Sequence, residues 1–122
     1  MNDAAGNLPI IRVGDILLVS LQGDMDDEAV VRLESQITRE VARTCARGTL
    51  LDVSGLALVD TILARVIARI VAMVRLLGCE AVVVGIQPAV AITLVELGVD
   101  LSRVHTSLNA GKGMELLRRI QE

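Results

Sequence analysis

An α/β domain with a mainly parallel sheet, an N-terminal β-hairpin and about four helices is the fold this sequence predicts. Short apolar runs rich in Val, Ile and Leu alternate with longer segments whose apolar residues recur at helical spacing. That alternation is the pattern of buried parallel strands joined by helical crossovers. Two apolar runs also flank Gly14-Asp15, which signals a hairpin, and Gly, Pro or Asp stands at most of the remaining boundaries.

In chain order, Ile10 to Val13 and Ile16 to Leu21 form the hairpin. Gly23 to Asp27 breaks the strand and offers acidic N-caps, which suit the positive end of a helix dipole. A first helix is expected from about Asp27 to Thr44, with Val30, Leu33, Ile37 and Val41 as its inner stripe, and Gly48 as its stop. Thr49 to Val53 reads as a central strand, and Asp52-Val53-Ser54-Gly55 as the opening of a loop. The second helix begins at Asp60-Thr61 and ends before Gly78; either of the first two residues suits its N-cap. Its apolar positions, from Ile62 to Leu77, are wider than one stripe, so this helix is expected to be deeply buried or to cover a partner. Ala81 to Val84 is the next strand, and Pro88 opens a third helix that Gly98 stops. Arg103 to Thr106 supplies a last short strand, and Asn109 caps a final helix carrying Met114, Leu117 and Ile120. No repeat or linker divides the 122 residues, which read as one domain with residues 1–8 as a flexible lead.

Composition narrows the function classes. A chain this size buries roughly two-thirds of its unfolded surface, so it needs no disulfide to hold a core. Phe, Trp and Tyr are absent, which leaves only His105 for base stacking, and the net charge of −3 gives no general attraction to phosphate backbones. Nucleic acid is therefore not an expected partner. Cys45 and Cys79 are far apart and accompanied by a single histidine, so a Cys/His metal site is not expected; both read as reduced, at least partly buried thiols of a cytoplasmic protein. The segment most like a membrane span, Thr61 to Leu77, is interrupted by Arg65, Arg69 and Arg75, each costing roughly 2.5–3.5 kcal/mol near a bilayer centre. Neither a signal peptide nor membrane binding is expected.

Catalytic constellations are not evident. His105 comes without a GxSxG elbow, and Ala110-Gly111-Lys112-Gly113 lacks the upstream Gly and the following Ser or Thr of a phosphate loop. Asp24, Asp26, Asp27 and Glu28 lack calcium-loop spacing and are better helix caps. No cofactor and no enzymatic activity are expected. More informative are Asp52 and Ser54, where a strand ends, and Asp60, Thr61 and Arg65, where the next helix begins, since open α/β sheets place functional groups at the carboxyl ends of strands. A phosphate on Thr61 would add about −1.5 to −2 charges there.

Two stretches resemble a known family. Leu51 to Thr61 is similar to the phosphorylation loop of STAS domains, the anti-sigma-factor antagonists, and Gly85 to Gly98 resembles the matching stretch of stressosome scaffold antagonists. The similarity runs from about Ile10 to the C-terminus. The resemblance implies a STAS-type fold and a non-catalytic, partner-switching role in stress signalling. It implies a shell of single-domain and sensor-bearing STAS subunits that sequesters a switch-protein serine/threonine kinase, releases it on phosphorylation, and is reset by a protein phosphatase. This chain matches the single-domain kind, with Thr61 at the acceptor position, where single-domain scaffolds usually carry serine and sensor-bearing paralogues threonine. Thr93 matches a second threonine phosphorylated in some sensor-bearing paralogues, and its expected role here is mostly structural. Asp52, Ser54, Asp60, Thr61 and Arg65 are the expected partner-binding residues, within a homo- or hetero-oligomer. Two other readings are open at this point: an anti-sigma factor antagonist that binds an anti-sigma kinase as a monomer or dimer, and a small nucleotide-binding domain or enzyme using Asp52, Asp60 and Thr61.

Overall fold

A computed structural model describes residues 10–22, 26–56, 58–98 and 104–121. Within them the order is β1 (Ile10–Val13), β2 (Ile16–Gln22), α1 (Asp27–Thr44), β3 (Gly48–Gly55), α2 (Thr61–Leu76), β4 (Glu80–Val84), α3 (Pro88–Glu96), β5 (His105–Ser107) and α4 (Ala110–Gln121). The flexible lead expected at residues 1–8, the turn at Gly23 to Met25 and the strand start at Arg103 lie outside the described residues.

The strands lie side by side in chain order, β1-β2-β3-β4-β5. β1 and β2 form the antiparallel hairpin, and the remaining neighbours pair in parallel. Parallel crossovers are right-handed, so a sheet wound steadily in one direction carries all its crossover helices on one face. The burial pattern agrees. Val30, Leu33, Ile37 and Val41 of α1, Leu63, Ile67, Ile70 and Val74 of α2, and Val90 and Leu94 of α3 share one core with Leu17, Val19, Leu51, Val53 and Val83 of the sheet. Each such side chain contributes roughly 1.5–3 kcal/mol by leaving water. Among the described helices α4 alone, which follows β5, folds onto the opposite face, where Leu117 packs with Ile16, Leu50, Val82 and Val84. Among the described strands this winding does not reverse, so they form no switch point of the kind at which α/β folds bind nucleotides.

Some expectations need correction. The stretch Asp52 to Gly55 is not a loop: β3 runs on to Gly55, because the register shifts opposite Ser20 to Gln22, where β3 carries one extra residue, and Gln22 still pairs with Gly55. Gly48 is not the helix stop. Cys45 takes the left-handed conformation, at φ 53° and ψ 39°, and Gly48 opens β3. Cys45 is therefore exposed rather than partly buried. Cys79 is buried as expected, with its sulfur 3.0 Å from Thr49 Oγ1, and burial pushes its thiol pKa up. The wide apolar stripe of α2 resolves into a buried face and exposed ends: Ile62 at the start, Leu76 and Leu77 at the finish. The last strand is shifted to His105–Ser107. Asn109 caps α4 as expected, accepting from the Lys112 amide at 2.9 Å.

Candidate functional site

The connection from β3 to α2 is anchored from within. Leu56 and Val59 are buried, and the Leu56 amide donates to the Val53 carbonyl at 3.0 Å. Leu58, between these anchors, is thrown outward and is 85% exposed. Asp60 then caps the helix in an extended conformation, and its Oδ1 accepts from the Leu63 amide at 2.8 Å. This settles the choice between Asp60 and Thr61: the aspartate is the cap and the threonine is the first helical residue. Loss of the cap in Asp60→Ala is expected to cost about 1 kcal/mol of stability, measured by urea unfolding.

Thr61 is consequently exposed on the first turn of α2. Ile62 beside it is 48% exposed, so together with Leu58 it places uncovered apolar surface on both sides of the hydroxyl in sequence. Arg65 lies one turn further along and is also exposed. The structure thus brings Asp60, Thr61 and Arg65 into one surface, to which Leu58 and Ile62 are additions that residue chemistry alone did not single out. The signal for them was available in the alternation of Leu56, Leu58 and Val59 around a loop that must bury two of the three.

Asp52 and Ser54 stand elsewhere. Leu51 and Val53 of β3 face the core shared with α1 and α2, so Leu50 and Asp52 face the α4 side. There Asp52 lines a shallow cleft with Ile11, Leu18, Ser20, Leu50 and Ala110. Asp52 Oδ1 accepts from the Ser54 amide at 2.9 Å, which holds the end of the strand. The Ser54 carbonyl accepts from Gln87 Nε2 at 2.6 Å, and this bond ties β3 to the start of α3. Gly85 makes the approach possible, since a Cβ built on it would lie 2.7 Å from Ser54 Cβ. Thr93, half-buried on α3, donates through Oγ1 to the Ala89 carbonyl at 3.0 Å. An open cleft of about 440 Å³ beyond β4 and β5 is lined by Ile86, Ala91, Thr106, Ser107 and Leu108, none of which is an acid, base or thiol. Among the described residues no three His, Cys, Asp or Glu gather to hold a metal, and no helix is long and apolar enough to cross a membrane.

A five-stranded, mainly parallel sheet with a leading hairpin and three crossover helices on one face defines a class of fold, and the chain belongs to a family that has it: residues 7–111 match the STAS domain. More particularly, the chain is homologous to the RsbR and RsbS proteins. It is 34% identical over 108 residues to the RsbT co-antagonist protein RsbRA of Bacillus subtilis, an alignment that takes in 88% of this chain and 39% of RsbRA. The chain thus spans about two-fifths of that relative's length. A variant of RsbS from Moorella thermoacetica superposes with a TM-score of 0.87 at 34% identity, covering 93% of this chain and 97% of the other. A chain from the solved architecture of the stressosome, a signal integration and transduction hub, superposes with a TM-score of 0.85, also at 34% identity, covering 93% of this chain and 99% of that one.

Proposed function

We propose that this chain is a non-catalytic partner-switching regulator of cytoplasmic stress signalling. In this reading it is a stressosome scaffold subunit that co-assembles with a sensor-bearing STAS paralogue and sequesters a switch-protein serine/threonine kinase. Phosphorylation of Thr61 releases the kinase, and a protein phosphatase restores the starting state. The observation that carries the reading is Thr61 itself: an exposed hydroxyl on the first turn of α2, flanked by exposed Leu58 and Ile62. An apolar patch of this kind suits a partner, and a phosphate placed within it changes both its charge and its hydration. Homology to RsbRA, a co-antagonist of RsbT by name, and to RsbS supports the same role.

The test is to incubate the full chain and its sensor-bearing paralogue with the cognate switch kinase and ATP, and to map phosphate by mass spectrometry. Phosphate on Thr61, lost in Thr61→Val, is the expected outcome, with the kinase leaving the assembly as phosphate accumulates. An unmodified Thr61, or a kinase that stays bound to the phosphorylated chain, would overturn the proposal.

A further inference from the structure

We infer that Arg65 is the built-in counter-charge for a phosphate on Thr61, so that phosphorylation withdraws this guanidinium from the surface offered to partners. The inference rests on the reading of Thr61 as a phosphate acceptor and adds to it a second consequence of the same modification. Thr61 and Arg65 are four residues apart on α2 and both exposed, so they lie one above the other on one helix face. Helical side chains lean toward the N-terminus, which carries the reach of Arg65 back over the turn that holds Thr61. An anion four residues before a cation is also the favourable order for such a pair. The same spacing is already used in this fold, where Glu28 and Arg32 of α1 approach to 3.7 Å.

The charged neighbours on this part of the molecule leave Arg65 available. Among the described residues it makes no hydrogen bond or ion pair. Arg69, one turn further along, is held by Glu34 of α1 at 3.0 Å, so that carboxylate is engaged while Arg69 repels Arg65 toward the start of the helix. Asp60 turns Oδ1 to the Leu63 amide as the helix cap. With Thr61 unmodified, Arg65 has no partner among the described residues and stands near the apolar patch, suited to an acidic group on a partner. With Thr61 phosphorylated, the guanidinium gains a dianion on its own helix and is no longer free to make that contact.

The test uses the full chain with phosphothreonine encoded at position 61 during translation, titrated through the second phosphate ionisation, near about pH 6, by phosphorus NMR. The phosphate pKa is expected to rise by about 0.3 unit in Arg65→Gln, the size that a pair at this spacing gives, and to rise less in Arg65→Lys. Arg69→Gln, which removes an equal charge one turn away, should leave it nearly unmoved. An unchanged pKa in Arg65→Gln, or an equal rise in Arg69→Gln, would overturn the inference. Because the phosphate is encoded, the measurement stands apart from kinase action: a kinase that ignores Thr61 overturns the proposed function and leaves this result intact.

Discussion

Replacing Thr61 by aspartate is expected, on the function proposed above, to weaken binding of a switch kinase by at least about tenfold, a loss of roughly 1.4 kcal/mol or more. The fold should not be the cause. An acid in the first turn of a helix is favoured by the dipole, while its neighbour Asp60 repels it, so stability should change by no more than about 0.5 kcal/mol. The loss arises at the contact. A carboxylate placed between exposed Leu58 and Ile62 must shed water when a partner covers the patch, and it draws Arg65 of its own helix away from that partner. A carboxylate carries one charge and a phosphate about −1.5 to −2, so the phosphorylated chain should bind more weakly still. Calorimetric titration of kinase into the parent chain, Thr61→Asp and the encoded phosphoprotein should therefore give three affinities in falling order. Equal affinities across the three, with thermal melts unchanged, would overturn the proposed switch at Thr61.

The expected order of strands and helices agrees with the structure because each boundary is local. The hairpin at Gly14-Asp15, the stripe Val30-Leu33-Ile37-Val41 and the Asn109 cap all need only neighbouring residues to declare themselves. The errors fall where a distant strand decides. Asp52-Val53-Ser54-Gly55 looks like a turn, and the Asp52 carboxylate does bond the Ser54 amide as it would in one. What keeps the segment extended is pairing with Gln22, thirty-odd residues earlier, across a bulge that composition does not reveal. Cys45 is a local exception: it ends α1 in the left-handed region, which glycine usually takes, and the glycine three residues later is the more usual stop. The site was legible in part. Asp60, Thr61 and Arg65 share a helix end, so spacing suffices to group them. Asp52 is separated from them by strand parity: with Leu51 and Val53 facing α1 and α2, it must face α4. The outward turn of Leu58 follows from which of its neighbours the core accepts, a matter of packing rather than of pattern.

Gly85 is the position where a single added carbon should cost most. It sits at φ +75°, a conformation that costs an L-residue roughly 1–2 kcal/mol. A Cβ there would also lie 2.7 Å from Ser54 Cβ and 3.2 Å from Ser54 Cα and N. No flexible side-chain end is available to give way, so the end of β3 itself must shift, at roughly 1–3 kcal/mol for overpacking. That shift would strain the 2.6 Å bond from Gln87 to the Ser54 carbonyl and the Asp52 bond to the Ser54 amide. Gly85→Ala is therefore expected to lose about 2–4 kcal/mol and to lower Tm by about 10 °C. Gly78 separates the two causes. It has φ +85°, but open space where its Cβ would lie, so Gly78→Ala carries the backbone strain alone, about 1–2 kcal/mol. Urea unfolding of the two variants side by side measures the difference. If Gly85→Ala loses no more than Gly78→Ala, the close approach of β4 to Ser54 is not what fixes the junction of β3 and α3, and the Gln87 bond must hold it by itself.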